Sequence, residues 1–203
     1  AAAKAAALLA WSTSAHNDRL GSLIFAGKDH VELKPRRGKS AVLDLIGRTC
    51  KHPAWKNPHD TQARDMSHAM SRLRKVTRPG SLVFLISDFR DMDQQAESHL
   101  INIARHNDVV LIQVYDPVEA ELPPAGSYRV SDGNNDLQLN TADKKLRQAY
   151  RQRFEQRQAR LAKLCRQHRM YLLPVSTQND VLSSLQQGLG IPASKHAQFK
   201  ARA

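Results

Sequence analysis

Apolar residues recur along this chain with two periods, and the switches between them outline a succession of helices and strands. Residues 4–15 hold neither proline nor glycine and are rich in alanine and leucine, which predicts a helix that Asn17 and Asp18 bring to an end. Leu20–Ala26 is a mostly apolar run. After a turn at Gly27, Lys28 and Asp29, residues 30–34 alternate Val31 and Leu33 with polar positions, so the two runs predict an antiparallel hairpin. Val42, Leu45 and Ile46 give helical spacing over residues 41–48, with Ser40 as the N-cap. A loop broken by Pro53 and Pro58 occupies residues 51–62. Met66, Met70 and Leu73 then mark one face of a helix that stops before Pro79.

Residues 81–86 and 109–114 are apolar at consecutive positions, a pattern that suits parallel strands covered by helices on both faces. They are predicted to be adjacent, central and buried. Between them, residues 94–105 place Leu100, Ile101 and Ala104 on one helical face, which makes a right-handed strand–helix–strand crossover. From Asp116 and Pro117 to Asn140 the chain is rich in Pro, Gly, Asp and Asn. It offers short strands at 128–130 and 137–139, with a turn at 132–135. A long helix follows, with Thr141 as N-cap and Leu146, Tyr150, Phe154, Leu161, Leu164 and His168 on the buried side. Residues 170–173 form the last strand, and residues 181–189 the last helix, ended at Gly190. The expected fold is α/β, a doubly wound and mostly parallel sheet, with residues 1–190 as one domain and 191–203 as a basic tail.

The length of 203 residues fits one well-cored domain of this kind. Apolar residues at 41% and charged residues at 25% exclude the disordered class, while 5% aromatics leave few stacking surfaces. No run reaches the roughly 18 to 20 apolar residues of a membrane-spanning helix, so a soluble protein is expected. Two cysteines, Cys50 and Cys165, are too few for a disulfide framework and point to the cytoplasm. The net charge of +12 is concentrated: residues 143–169 hold ten basic side chains against two acidic ones. This basic helix, with Arg151, Arg157 and Arg160, supports an alternative reading as a nucleic-acid or anionic-surface binder. The simpler reading is a solvated helix face, because no helix-turn-helix or zinc-finger pattern accompanies it and Tyr150 and Phe154 belong to the core side.

Ligands of open parallel sheets sit beyond the carboxyl ends of the strands. Ser87 and Asp88 follow one predicted strand there and Asp116 the next, although such aspartates also cap helices and brace turns. An enzyme is not expected. Cys50, His52 and His59 match no zinc spacing, Ser87 and Ser176 lack obvious triad partners, and neither a Gly-X-Ser-X-Gly elbow nor a phosphate-binding loop occurs.

Several segments in order carry a resemblance: Asp18-Arg19-Leu20-Gly21, Arg78-Pro79-Gly80-Ser81 leading into Leu85-Ile86-Ser87-Asp88-Phe89, Ala104-Arg105-His106-Asn107-Asp108-Val109, and Asp116-Pro117-Val118-Glu119 with Leu122-Pro123. Ser131-Asp132-Gly133 and Ser176-Thr177 extend it over nearly the whole chain. The sequence resembles the von Willebrand factor A-like domain-of-unknown-function family (number fifty-eight) encoded beside MoxR-type ATPases. The resemblance implies a sheet whose first central strand ends in Asp-X-Ser-X-Ser; that motif, a Thr from a later loop and an Asp after the fourth strand surround a divalent cation. Asp88 matches the last of these ligand positions. The Asp-X-Ser-X-Ser motif does not occur, the chain beginning in the helix that would follow it, and the Thr position falls at Arg64, ahead of Asp65-Met66, with Thr61 the nearby replacement. A hard cation needs several oxygens in octahedral array, so no cofactor is expected in the chain as given and magnesium only in a longer natural chain. Absence of a central strand leaves its neighbours with open edges, which implies upstream residues or a swapped strand. The resemblance further implies a non-enzymatic adaptor that holds a protein partner, a MoxR-type AAA+ ATPase, through loops carrying Ser87, Asp88, Asp116 and Glu119.

Overall fold

The computed structural model describes residues 1–26, 29–55, 66–131 and 135–190. Gly27 and Lys28 of the first predicted turn lie outside the described residues, as do Pro58, His59, Thr61, Arg64 and Asp65, residues 132–134 of the second turn, and the predicted tail 191–203. The elements in chain order are α1 (Ala2–Ala15), β1 (Leu20–Ala26), β2 (Asp29–Arg36), α2 (Lys39–Cys50), α3 (Met66–Val76), β3 (Leu82–Ser87), α4 (Gln94–Ala104), β4 (Asp108–Tyr115), α5 (Pro117–Ala120), β5 (Ser127–Ser131), β6 (Asp136–Asn140), α6 (Lys144–Gln167), β7 (Tyr171–Ser176) and α7 (Val181–Gly188).

Strands β3, β4 and β7 form a three-stranded parallel sheet in that order, in register from Leu82↔Asp108 to Ser87↔Gln113 and from Val110↔Tyr171 to Tyr115↔Ser176. The consecutive apolar residues of β4 alternate between two cores. Val109 and Leu111 join Val83, Leu85, Leu100, Ile103, Leu161 and Leu164 under α3, α4 and α6, while Val110 and Ile112 join Val175, Ala5, Val181 and Leu185 under α1 and α7. Each such side chain contributes roughly 1.5–3 kcal/mol on burial, so a strand apolar on both faces is held far more strongly as a sheet centre than at an edge. One expectation is corrected here. Among the described residues β4 alone has strands on both sides; β3 pairs only with β4, and its Leu82 is 60% exposed.

The β1–β2 hairpin is a separate antiparallel sheet, with a bulge between Leu20 and Ser22. Its own core is Ala10, Val42 and Leu45 with Leu20, Ile24 and Leu33. Two helices join it to the parallel sheet. α1 sends Ala5 into one core and Ala10 into the other, and Met66, Ala69 and Met70 of α3 share a cluster with Phe25 of β1 and Val83 and Leu85 of β3.

Two predicted caps are replaced. α2 starts at Lys39, so Ser40 lies inside its first turn and the N-cap is Gly38, at φ +87, a conformation glycine adopts without steric cost. α6 is capped by Asp143, whose carboxylate accepts from the N–H groups of Lys145 and Leu146. Thr141 is instead fully buried and ties the base of the β5–β6 hairpin, donating to the carbonyl of Pro124 and accepting from the N–H of Gly126. The buried side of α6 takes in Cys165, which the periodicity had not singled out; burial pushes its thiol up to about 11 and leaves it unreactive.

Asp180 caps α7 and also receives Lys4 Nζ of α1 at 2.9 Å. Lys4 first, and then the Ser183 N–H, hold its carboxyl down at about 2, against an ordinary 3.8. A depressed carboxylate stabilises the fold above its ordinary value and loses that contribution as pH falls towards 2. An Asp180→Asn variant is therefore expected to be less stable than the parent near neutrality and to converge with it between about pH 4 and 2, which flattens the acid limb read by chemical denaturation across that range. An unchanged acid limb would show that the α1–α7 tie does not contribute.

Candidate functional site

Parallel pairing in register brings the carboxyl ends of β3, β4 and β7 to one level, with Ser87 opposite Gln113 and Tyr115 opposite Ser176. The residues just beyond are therefore neighbours despite their separation in sequence. After β3 the chain turns sharply: the N–H of Phe89 donates to Ser87 Oγ at 3.2 Å and that of Arg90 to Asp88 Oδ1 at 3.3 Å. Phe89 holds φ +53 with its ring only 2% exposed in the main core. A bulky residue in the left-handed region costs roughly 1–2 kcal/mol, which burial of the ring offsets.

The turn places Arg90 between two carboxylates. Its Nη2 lies 2.7 Å from Glu119 Oε2 and its Nε 3.7 Å from Asp88 Oδ2, and Glu119 foremost raises the affinity of the guanidinium for its proton. Glu119 belongs to a capping box on α5. Its Oε1 accepts from the Asp116 N–H at 3.2 Å, and Asp116 Oδ1 accepts from the Val118 N–H at 3.0 Å. The other Asp116 oxygen receives the hydroxyl of Thr177, just past β7, at 2.7 Å. Thr177 first, then the Val118 N–H, hold the Asp116 carboxyl below its ordinary range. α6 closes one side: Tyr150 Oη donates to the Val118 carbonyl at 3.0 Å, Phe154 packs on Tyr115 with ring centroids 5.3 Å apart, and Arg157 Nη1 stands 4.0 Å from Glu119 Oε2.

Ser87, Asp88, Asp116 and Glu119 thus meet at one strand-end surface, linked through Arg90. Arg90 and Thr177 were not anticipated as members. Thr177 follows the third parallel strand just as Asp88 and Asp116 follow the other two, so topology could have found it; Arg90 depends on the turn at Phe89, which periodicity does not reveal. The arginines of the alternative surface are also placed. Arg151 pairs with Glu155 at 2.8 Å, Arg160 with Glu97 at 2.7 Å, and Arg157 borders the strand-end network itself. They are not a free basic face.

The described residues do not fit a magnesium ion. Lone pairs of Glu119 and Asp116 that a hard cation would take are engaged by Arg90, Thr177 and backbone N–H groups, and among the described residues no three His, Cys, Asp or Glu side chains converge as metal ligands. Cys50 is exposed, and His52 is buried with Nδ1 accepting the Ala54 N–H at 3.3 Å, a local structural role. The strand-end surface is a half-exposed guanidinium set among carboxylates and hydroxyls whose orientations are fixed by mutual hydrogen bonds.

A three-stranded parallel sheet between helical layers, with its polar cluster at the carboxyl edge, defines a mixed α/β protein. The chain belongs to the family described as Protein of unknown function DUF58, whose profile matches residues 1–160. Uncharacterized proteins of Mycobacterium bovis and Mycobacterium tuberculosis are each 26% identical to it over 185 residues, which is 91% of this chain and 57% of theirs, so the chain spans little more than half the length of these relatives. Among solved structures, the conserved hypothetical protein BatB from Bacteroides thetaiotaomicron is similar in fold, with a TM-score of 0.55 and 16% identity over 93% of this chain and 85% of that one. An aerotolerance-related membrane protein from Bacteroides fragilis gives 0.53 and 15% over 93% and 86%. Among the described residues no helix is long and apolar enough to cross a membrane.

Proposed function

We propose that the protein is a non-enzymatic binding module, von Willebrand factor A-like in topology, that works as an adaptor for a MoxR-type AAA+ ATPase. The observation that carries this reading is the convergence of three strand-end loops on one charged surface, with Asp88, Arg90, Asp116 and Glu119 already orientated and no nucleophile–base pair among them. Loops held by a rigid sheet are the usual place for recognition. The topological part of the reading is supported by the seam between the sheets: β1 and β3 each lack a partner on one side among the described residues, while α1 and α3 pack against both sheets. One more strand, placed between β1 and β3, would satisfy both edges. Cys50 and Cys165 are free, in keeping with a cytoplasmic setting.

Charge reversal at Asp116 or Asp88 in the full-length protein is expected to weaken capture of the cognate ATPase by more than about tenfold, because a lysine at 88 repels Arg90, one at 116 loses the Thr177 and Val118 bonds that set its loop, and either repels the complementary charge on the partner. Surface-plasmon resonance on variants with native circular dichroism measures this. A folded Asp116→Lys variant that binds as tightly as the parent protein removes the strand-end surface from the interaction. Arg157→Gln does not serve as a neutral control, since it touches the same network; Arg153→Gln does.

A further inference from the structure

The opposite edge of the sheet carries a second surface. Gly80 leads into β3, Asp108 opens β4 and Arg169 precedes β7, so the groove of about 530 Å³ that these residues line with Ile101, Arg105 and His168 lies at the amino ends of the strands, between the C-termini of α4 and α6. Lys163 and Arg166 follow one another at a three-residue spacing on the exposed side of α6, and Arg169 continues the row onto the groove lining, with Arg105 across from it. Among the described residues none of these four cations has an acidic partner, in contrast to Arg151, Arg157 and Arg160 further up the same helix, and Asp108 is the one acid on the groove.

Cations at helix C-termini also offset the helix dipole, and Arg105 and Arg166 suffice for that. Arg169 does not fit this account. It occupies the left-handed position just past α6, at φ +55, where the N–H of the next residue, Met170, closes the helix on the Cys165 carbonyl at 2.9 Å. Glycine is favoured there, and an arginine costs roughly 1 kcal/mol relative to it. A residue that opposes the local backbone preference while adding an unpaired charge to a concave basic surface points to a ligand.

We propose that Lys163, Arg166, Arg169 and Arg105 bind the phosphodiester backbone of a nucleic acid, independently of the strand-end surface. Concavity favours this occupant over a bilayer: a phosphate chain can enter the groove and meet Arg105 and Arg169 from both sides, whereas a flat lipid surface meets only the outer row. The side-chain amide of Asn107 is engaged by the Ser81 N–H and the Ile103 carbonyl, and the four cations supply the affinity, so the main contacts are to phosphate.

The test is fluorescence anisotropy with the full-length protein and a labelled single strand of about 20 nucleotides, across a salt series, with phosphatidylserine vesicles as the competing probe. Combining Lys163→Gln, Arg166→Gln and Arg105→Gln is expected to weaken binding about tenfold near 0.1 M salt and to lower the salt slope by about two, since each phosphate contact on a single strand contributes roughly 0.7. Arg169→Gly is the sharper variant, because it should weaken binding while leaving the melting temperature unchanged or higher. Parent-like binding by both variants overturns the proposal, as does parent protein that takes up vesicles but not the oligonucleotide. Loss of thermal stability in Arg169→Gly would show that the arginine is there for the fold.

Discussion

Replacing Leu111 by alanine is expected to lower folding stability by about 3–4 kcal/mol. Leu111 is fully buried at the middle of β4, which among the described residues is the one strand with neighbours on both sides, and shares a cluster with side chains from β3, α3, α4 and α6. Truncation removes the transfer energy of the lost carbons and leaves a cavity that a parallel strand, pinned by ladders on each side, cannot collapse to fill. Against a total of roughly 5–15 kcal/mol, such a loss moves the urea midpoint a long way with little change in slope. Leu43→Ala is the matched control: Leu43 is 59% exposed, and its variant should stay within about 0.5 kcal/mol of the parent. Equal effects at the two positions would mean that β4 is not the centre of the core.

Phe89 has the second large effect, and it connects fold to site. Phe89→Ala should cost about 3–4 kcal/mol, because it empties a buried position and leaves a β-carbon in the left-handed conformation. Phe89→Gly empties the same position but relieves the backbone, so it should be the less damaging of the two by about 1 kcal/mol. Both loosen the turn that presents Arg90 to Glu119, and Asp116→Lys combined with either should show less than additive loss of partner capture. Should glycine prove no better than alanine, the strain assigned to this turn is absent.

Much of the fold was legible because its strands are apolar on consecutive residues. Residues 81–86 and 109–114 could not sit anywhere but between helical layers, and the helix between them completed a parallel crossover. Which of the two strands is flanked on both sides was not legible, since lateral order depends on pairings that a one-dimensional pattern does not encode. Caps were misassigned by two residues at Ser40 and Thr141 for a related reason. Several polar residues precede each helix, and tertiary contacts decide which one caps: Thr141 is drawn into the core by Gly126 and Pro124, leaving the task to Asp143. At the strand ends, position predicted Asp88 and Asp116, but the bonds that organise them come from Arg90 and Thr177, 87 residues apart by number and adjacent only in the fold. Net charge is a coarser guide. Counting the basic residues of α6 gave their number but not which were already satisfied, so the three first singled out are those that neighbouring glutamates claim.

The helix α6 runs from one edge of the sheet to the other, touching α5 through Tyr150 near its start and lining the amino-edge groove with Gln167 at its end. Its 24 residues measure about 36 Å, but Arg157, which borders the strand-end network, stands only about 15 Å before Gln167 along the helix axis, so the two surfaces share one rod at short range. Competition between a protein bound at one end and an oligonucleotide at the other is therefore relieved by shortening the oligonucleotide where it is steric, and persists where it is carried along the helix.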